Sequence, residues 1–183
     1  MGAVDLIAAV DEHEVAEILR HRGRDFGFSL ENLKLDFPAA VKRSRQVSAR
    51  LVKGVDFLMK KNKIEHVPGF GRIQAPGIIE VSAEGQPPKN LKSKHIIIAT
   101  GARARSIPGV PLDRKRVITS TEAMNLSQQP ASMIIIGAGA IGVEFAYFYN
   151  SLGTKVTLVE MMPGILPVED RELTKLLESS LRK

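Results

Sequence analysis

The sequence predicts an α/β fold, and three patterns in the chain support this prediction. Residues 133–160 have the pattern of a strand, a glycine-containing turn, a helix and a second strand. Residues 36–61 carry apolar or small side chains at alternating steps of three and four, which is the period of an amphipathic helix. Residues 94–101 contain an apolar run without alternation, which is typical of a strand buried on both faces of a sheet.

Length and composition indicate a globular protein of ordinary size. The chain has 183 residues, 44% of them apolar and 25% charged, which suits one domain or pieces of two. The net charge of +6 would suit an acidic partner or nucleic acid. The basic residues are spread along the chain, however, and no aromatic residues alternate with them as in base-stacking surfaces. We therefore interpret them as the solvent faces of helices and expect no nucleic-acid partner.

Several kinds of segment and site are excluded. The longest apolar run, residues 133–143, contains glycines and is much shorter than the about 20 residues that span a bilayer. The N-terminal segment has no basic leader, so we expect no signal peptide, no membrane association and a cytoplasmic location. No cysteine is present, which excludes disulfides, thiolate zinc sites and dithiol chemistry carried by this chain. The histidines lack metal-ligand spacing and are interpreted as surface or edge residues: His13, His21, His66 and His95.

The first half of the chain is predicted to contain two helices and several short strands. The first helix covers residues 12–22, with one face formed by Val15, Ile18 and Leu19. The second covers residues 36–61, and its inward face is formed by Phe37, Val41, Ser44, Ser48, Leu51, Val55 and Leu58. β-Type residues bounded by Gly and Pro predict strands within residues 64–73 and 77–86.

A turn-rich, charged segment leads into the second half of the chain. We interpret residues 102–117 as a crossover between domains and residues 121–128 as a short helix. A strand over residues 133–136 follows. The helix after it has one apolar stripe, formed by Ile141, Phe145, Phe148 and Leu152.

The chain then continues with a strand and a further helix. Gly153 ends the preceding helix, as a glycine just past a helix C-terminus does. Residues 155–159 are predicted to form the second strand of the unit. Residues 169–181 are predicted to form an amphipathic helix with four inward leucines: Leu173, Leu176, Leu177 and Leu181.

The turn after residues 133–136 has the pattern of a pyrophosphate-binding turn. Gly137 permits a tight turn, Gly139 lets the backbone approach a phosphate, and Gly142 lets the helix pack closely on the strand. The helix N-terminus offers unpaired N–H groups and the positive end of the helix dipole. Glu160 closes the next strand near the expected offset of about 20 residues, where a carboxylate accepts hydrogen bonds from ribose hydroxyls. Because a carboxylate repels a 2′-phosphate and no Arg follows it, the motif favours NAD over NADP.

Each of these residues also has a purely structural interpretation. A glycine turn can simply pack within an α/β sheet, although the strand, helix and carboxylate together favour nucleotide binding. Glu144 lies on the first turn of the same helix, where the dipole favours a negative charge. From the residues alone, this structural role of Glu144 and a functional one both stay open.

Residues 36–64, 95–109 and 137–160 form an ordered set of motifs. Together they strongly resemble the dihydrolipoamide dehydrogenases, flavin-dependent members of the class I pyridine nucleotide-disulfide oxidoreductases. The resemblance runs from about Ala16 to Lys183, and glutathione and mercuric reductases share several of the motifs.

The resemblance implies parts of two Rossmann-like dinucleotide-binding domains of three layers. The first part, with a long helix and a small β-meander, would be residues 1–112, the C-terminal portion of the FAD-binding domain plus the crossover. The second would be residues 113–183, the first half of the NAD-binding domain. The implied cofactors are therefore FAD and NAD.

The resemblance also implies roles for individual residues. Thr100, Gly101 and Ala102 match a segment that runs beside FAD, and Gly71 matches a glycine near the adenosine part of FAD. Glu160 matches the NAD ribose carboxylate. The NAD pyrophosphate loop matches Gly137, Ala138, Gly139, Ala140, Ile141, Gly142, Val143 and Glu144.

Two of these loop positions have additional implied roles. Glu144 matches a supporting catalytic glutamate that reaches toward the flavin and pairs with a lysine there. Ala140 falls where some members of the family carry a bulkier residue over the nicotinamide pocket.

Other parts of the family pattern have no match in the chain. No FAD-binding glycine turn precedes residue 16, and no CxxxxC redox pair is present with the lysine that would pair with Glu144. The later Gly-Asp motif for FAD and the interface domain with its His–Glu base also have no match. The resemblance therefore covers the middle of a flavoenzyme.

Three hypotheses follow from the sequence. The first is a fragment of a dihydrolipoamide dehydrogenase that oxidises dihydrolipoamide with NAD+, its parent a homodimer within a 2-oxo acid dehydrogenase complex. Because thiols are absent, we expect the chain alone to be inactive. The second is a non-catalytic NAD- and FAD-binding module, or a piece of a glutathione- or mercuric-reductase-like enzyme. The third, ranked last, is a basic interaction protein.

Overall fold

The computed structural model describes residue 15, residues 18–27 and residues 34–182 of the chain. These residues divide into two compact units. Unit 1 contains the described residues up to residue 50 and from residue 106 onward, and unit 2 contains residues 51–105. The domain boundary between residues 112 and 113 stays a prediction.

The described elements follow one another in the order helix, meander, short helix, strand, helix, strand, helix. They are α1 (Phe37–Lys61), β1 (Phe70–Ala75), β2 (Ile78–Ser82), β3 (Lys89–Lys92), α2 (Ser120–Ala123), β4 (Ser132–Ile136), α3 (Ala140–Ser151), β5 (Lys155–Val159) and α4 (Arg171–Leu181). This mixture of helices and small sheets confirms the predicted α/β class. No helix in the described part of the chain is long and apolar enough to cross a membrane.

The helix predicted over residues 12–22 lies partly outside the described residues. Within them, Ile18–Arg22 form one π-helical turn and Gly23–Phe26 form a 3₁₀ turn. Ile18 and Leu19 are half-buried, whereas Val15 is exposed.

Helix α1 confirms the predicted long helix but not its continuous inward face. The Asp36 carboxylate accepts the Ala39 N–H at 3.0 Å, which satisfies one of the unpaired donors at the helix start. Phe37, Ser44 and Ser48 are buried, as the period predicts. The later apolar positions of the same face are exposed: Leu51, Val55 and Leu58. No helix or strand of the described residues covers the second half of α1. The period therefore predicted the apolar face of the helix but not its burial.

In unit 2 the three short strands form an antiparallel meander in the order β1–β2–β3. Gly77 turns the chain between β1 and β2 with a φ of +75°, and a Cβ there would lie 2.7 Å from the Ser93 carbonyl oxygen. Glycine is therefore required at this position by both conformation and space.

The buried strand predicted within residues 94–101 is wrong for this structure. These residues form no strand, and the Ile97 and Ile98 side chains are 91% and 72% exposed. A strand of this kind needs neighbouring strands for its hydrogen bonds and helices on its faces. No strand or helix of the described residues lies beside residues 94–101.

In unit 1, β4 and β5 pair in parallel, with Ser132 opposite Lys155 and Ile136 opposite Val159. The alternate residues Met133, Ile135 and Val156 belong to the hydrophobic core beneath α3. The opposite face is open to solvent, and the Ile134 side chain on it is 70% exposed. The predicted strand–helix–strand unit is thus confirmed. Of the two faces of its sheet, the described residues cover only the one that packs on α3.

The core of unit 1 is built around one residue of α3. Tyr149 is fully buried, and its ring lies 5.2 Å from Phe148 and 6.0 Å from Phe37, centroid to centroid. Its hydroxyl donates a hydrogen bond to the Ala123 carbonyl oxygen at 2.6 Å, and burial raises the pKa of Tyr149 to about 12. These contacts hold α3 against α1 and α2 and thereby fix the helix that follows the glycine turn.

The C-terminal end of α3 is closed as predicted. Gly153 follows the helix with a φ of +102°, and its N–H donates to the Asn150 carbonyl oxygen at 2.9 Å. The Gln129 side-chain amide donates to the Leu152 carbonyl oxygen at 3.0 Å. The last turn of α3 is therefore tied to the segment that precedes β4.

Helix α4 forms as predicted, but its leucines do not face inward. The Asp170 carboxylate caps the helix by accepting the N–H groups of Glu172 and Leu173 at 2.9 and 3.2 Å. The buried residue of this helix is Thr174. All four predicted inward leucines are exposed: Leu173, Leu176, Leu177 and Leu181. No element of the described chain packs on that stripe, so the amphipathic period alone did not determine its burial.

Candidate functional site

The candidate site is the turn between β4 and α3. Gly137 leaves the strand with a φ of +106°, a conformation that side chains other than glycine rarely adopt. Its N–H donates to the Val159 carbonyl oxygen at 2.8 Å. The first residue of the turn is therefore hydrogen-bonded to the last residue of β5. The turn lies at the carboxyl ends of both parallel strands, where ligands bind in open α/β sheets.

Gly142 allows the helix to lie directly on the turn. A Cβ at this position would lie 1.9 Å from the Gly137 carbonyl oxygen and 3.5 Å from the Ile135 side chain. No side chain fits at the first distance, because the obstructing atom belongs to the backbone. The close packing predicted for Gly142 is thus confirmed.

Gly139 has a different environment from Gly142. It is the N-cap of α3 with a φ of −71°, and a Cβ there would meet no atom within 4 Å. Neither its conformation nor its packing requires glycine, so what glycine provides here is open space on the outer side of the turn. The N–H groups of Gly139, Ala140 and Ile141 have no acceptor among the described residues, and they lie at the positive end of the helix dipole.

Glu160 lies beside the turn and binds it. One carboxylate oxygen, Oε2, accepts the Ala138 N–H at 2.7 Å, and the other, Oε1, accepts those of Met161 and Met162 at 2.7 and 2.8 Å. The hydrogen bonds from Met162, Ala138 and Met161 hold the pKa of the Glu160 carboxyl below its usual range. The turn therefore carries a negative charge at its edge at neutral pH, beside its N–H donors.

A further contact of the turn is not evident from the sequence. The Leu166 N–H donates to the Ala138 carbonyl oxygen at 2.8 Å, and Leu166 has a φ of +47°. The Pro and Gly residues around it predict a loop, but no local signal indicates that the loop returns to the glycine turn. The participation of Leu166 therefore becomes visible only in three dimensions.

The remaining predicted residues of the loop are divided between core and surface. Val143 and Ala138 are buried, whereas Ala140 and Ile141 are exposed at the start of α3. Glu144 is also exposed, and it is the fifth residue of the helix, one position beyond the first turn on which the sequence placed it. Among the described residues no partner is seen for its carboxylate.

The residues predicted to contact FAD lie in unit 2. Thr100, Gly101 and Ala102 are exposed, and Gly101 has a φ of +76°. Gly71 lies in β1 opposite Val81, and a Cβ there would make an ordinary contact of 3.6 Å with the Ile79 side chain. Packing therefore does not require glycine at this position. The described residues contain no group of three or more side chains suited to hold a metal ion.

Comparison with known proteins identifies the family. The sequence profile of the family described as "Pyridine nucleotide-disulphide oxidoreductase" matches residues 6–183. The chain belongs to this family. Proteins named dihydrolipoyl dehydrogenase are similar to this chain: that of Rhizobium etli is 48% identical over 92% of the chain, and that of Chlorobaculum parvum is 42% identical over all of it.

Solved structures of this oxidoreductase family have the same fold. LpdA from Mycobacterium tuberculosis superposes with a TM-score of 0.86 at 25% identity, and the match covers 98% of this chain and 39% of LpdA. RclA from Escherichia coli, described as a flavoprotein disulfide reductase, superposes with a TM-score of 0.77 over 99% of the chain. The chain spans 38% and 39% of the length of the Rhizobium and Chlorobaculum relatives.

Proposed function

We propose that this chain supplies the NAD-binding turn and a flavin-side segment of a dihydrolipoyl dehydrogenase, which oxidises dihydrolipoamide with NAD+ by way of FAD. The observation that carries the proposal is the environment of Gly139. Its outer side is open, three N–H groups there have no acceptor among the described residues, and an anionic carboxylate stands at the edge of the turn. The high identity to dihydrolipoyl dehydrogenases supports the choice within the family.

The residues of the turn would bind the dinucleotide through two kinds of contact. The N–H groups of Gly139, Ala140 and Ile141 would donate to the pyrophosphate at the positive end of α3. Glu160 would accept hydrogen bonds from the ribose hydroxyls and repel a 2′-phosphate, which selects NAD over NADP. NAD+ supplies the hydride acceptor when bound, and the chain's own part is to orient it.

The FAD-contacting residues are proposed from the family pattern. Thr100, Gly101 and Ala102 would run beside the flavin nucleotide, Gly71 would approach its adenosine part, and Glu144 would face the flavin. Support comes from the left-handed Gly101, whose conformation suits a chain reversal, and from the exposure of Glu144 near the NAD-binding turn.

The proposed assembly follows the same family pattern. The whole enzyme would be a cytoplasmic homodimer within a 2-oxo acid dehydrogenase complex, without nucleic-acid or membrane partners. A purified chain of these 183 residues would not oxidise dihydrolipoamide with NAD+, because dithiol oxidation in this family needs thiols and the chain has no cysteine. A non-catalytic nucleotide-binding module is the second candidate, and the same absence of cysteine favours it.

The test is calorimetric titration of the full chain with NAD+ and NADP+. We expect NAD+ to bind and NADP+ to bind at least about tenfold more weakly, because Glu160 opposes the 2′-phosphate. Gly139→Val should abolish NAD+ binding and lower thermal stability only by the modest cost of replacing an N-cap glycine, since its Cβ would enter the open space and meet no atom of the chain within 4 Å.

A second glycine provides the matched control for that variant. Gly54 lies in α1, and a Cβ there would also meet nothing within 4 Å. Gly54→Ala should therefore leave NAD+ affinity unchanged. Failure of the unmodified chain to bind NAD+ would contradict the proposal for the isolated chain, and equal affinities for NAD+ and NADP+ would contradict the role of Glu160.

A further inference from the structure

The two peptide groups that flank Ala138 are both held by the segment that follows β5. Ala138 is fully buried between Gly137 and Gly139. Its N–H donates to the Glu160 carboxylate at 2.7 Å, and its carbonyl oxygen accepts the Leu166 N–H at 2.8 Å. Both partners belong to the chain that follows β5. This chain therefore determines how the centre of the glycine turn is oriented.

The orientation of one peptide group controls a donor of the site. The Ala138 carbonyl and the Gly139 N–H belong to the same planar trans peptide, so they point in opposite directions. When the Ala138 carbonyl points at the Leu166 N–H, the Gly139 N–H must point away from Leu166. Gly139 itself borders open space, because no atom of the chain would contact a Cβ there within 4 Å.

The segment that carries Leu166 is itself anchored at both ends. We name residues 161–167 the latch segment. At its start, the Met161 and Met162 N–H groups are bound to Glu160 at 2.7 and 2.8 Å. Near its end, the Leu166 carbonyl accepts the Glu169 N–H at 3.0 Å, directly before the Asp170 cap of α4.

The backbone of Leu166 has a conformation that is rare for residues with a side chain. Its φ of +47° lies in the left-handed region, which a side chain with a Cβ rarely adopts. Such a conformation persists where the surrounding contacts determine it. Here the contacts on both sides of Leu166 do so, and its N–H is directed at Ala138 as a result.

We propose that Leu166 is a positioning residue for dinucleotide binding, which acts through the Ala138 carbonyl to aim the Gly139 N–H at the pyrophosphate. The identity of the ligand rests on the proposed function, whereas the orientation of the peptide does not. The backbone N–H of Leu166 is the group that matters, so the effect should depend on that N–H and not on the leucine side chain.

Two substitutions at this position separate the backbone of Leu166 from its side chain. Leu166→Pro removes the N–H and, because its ring fixes φ at about −65°, also excludes the left-handed backbone, whereas Leu166→Gly keeps the N–H and fits that backbone without strain. We expect Leu166→Pro to weaken NAD+ binding by at least about tenfold, the loss typical of one hydrogen bond to a charged group, and Leu166→Gly to bind as the unmodified chain does. Adenosine, which has no phosphate, should lose affinity in neither variant.

The outcomes distinguish this proposal from a general loss of structure. Equal NAD+ affinity of Leu166→Pro and the unmodified chain would overturn it, as would a parallel loss of adenosine binding in a folded Leu166→Pro. Loss of NAD+ affinity in Leu166→Gly equal to that in Leu166→Pro would also overturn it.

Amide hydrogen exchange of the unmodified chain tests the orientation of the peptide between Ala138 and Gly139 without any ligand. This measurement also replaces Leu166→Pro if that variant fails to fold. We expect the Leu166 amide to be protected and the Gly139 amide to exchange rapidly. An unprotected Leu166 amide would overturn the proposed role of Leu166 even if NAD+ binds. If NAD+ does not bind but the Leu166 amide is protected, the proposed function fails for the isolated chain, whereas the contact between Leu166 and Ala138 is supported.

Discussion

At the scale of single residues, the three glycines of the turn serve three separable purposes. Gly137 is needed for its φ of +106°, and Gly142 for the backbone that would lie 1.9 Å from its Cβ. Gly139 satisfies neither condition, so its value lies in the space that it leaves open. The same residue type at three neighbouring positions therefore predicts three different responses to substitution.

The response to Gly142→Ala should be a loss of stability. Its Cβ would overlap the Gly137 carbonyl, and forcing the helix away from the turn should cost about 3 kcal/mol of unfolding free energy. Gly139→Ala is the matched control and should lower it by about 1 kcal/mol at most, because glycine is favoured over alanine at an N-cap. Urea denaturation followed by circular dichroism measures both, and equal stabilities of the two variants would contradict the packing assigned to Gly142.

The carboxylate of Glu160 should contribute to stability in a pH-dependent way. Its pKa in the folded chain is lowered from the ordinary value of 4.5 by hydrogen bonds from Met162, Ala138 and Met161. The stabilisation is therefore fully present above about pH 4.5 and is lost as the pH falls through the lower folded pKa.

We expect Glu160→Gln to be less stable than the unmodified chain at pH 7 and to approach it in acid. Thermal melts between pH 7 and pH 3 measure this difference. Glu84→Gln, at an exposed position outside the site, is the control. The difference in melting temperature between Glu160→Gln and the unmodified chain would stay constant with pH only if the hydrogen bonds did not depend on the charge. Such a constant difference would contradict the prediction.

At the scale of elements, the placement of α3 depends on contacts from both sides. Its Tyr149 packs on Phe37 of α1 and donates to the carbonyl of Ala123 in α2. Its N-terminus touches the glycine turn, and its last turn is tied to Gln129. The helix that would present N–H groups to a dinucleotide is thereby held at both ends and along one side.

Removal of the Tyr149 hydroxyl should weaken this support. Tyr149→Phe leaves the Ala123 carbonyl without its partner and should lower the unfolding free energy by about 1–2 kcal/mol. Tyr149→Leu should cost more, because the contacts with Phe37 and Phe148 are also lost. Chemical denaturation checks the order, and a neutral Tyr149→Phe would show that the hydrogen bond is not formed in solution.

The raised pKa of Tyr149 makes a related prediction at alkaline pH. Burial raises it from 10.0 to about 12, so the folded chain retains a proton that the unfolded chain releases. Stability should therefore be complete below about pH 10 and fall as the pH rises toward 12. Absorbance titration should show Tyr149 ionising only near pH 12 or on unfolding, and Tyr149→Phe should lose this part of the alkaline destabilisation.

At the scale of the whole molecule, the described chain leaves several apolar surfaces in water. One face of the β4–β5 pair is open, the leucines of α4 are exposed, and Ile97 and Ile98 are largely exposed. Contiguous apolar surface and unpaired strand edges promote association.

We accordingly expect the purified chain to self-associate as its concentration rises. Sedimentation velocity over a hundredfold concentration range measures this. Replacing Ile97 and Ile98 by Lys should reduce the association, whereas the added charge of Gln86→Lys at an exposed polar position should reduce it less. A monomer at all concentrations with a cooperative, high-temperature melt would contradict this expectation.

The sequence by itself determined the local architecture. The steps of three and four predicted α1 and α3, and the glycine spacing with Glu160 predicted the turn and its strands, because these patterns depend on neighbours a few residues apart. The presence of α4 and the end of α3 at Gly153 were predictable for the same reason. The absence of cysteine determined that no dithiol chemistry belongs to these residues.

Only the tertiary structure decided which apolar faces are covered and how the turn is held. The leucines of α4 and the run at residues 94–101 have the composition of buried segments, yet burial depends on what packs against them. The hydrogen bonds that Ala138 donates to Glu160 and accepts from Leu166 join residues separated by more than a helix and a β-strand. Local periodicity carries no information about such contacts, because they are set by how the chain folds back on itself.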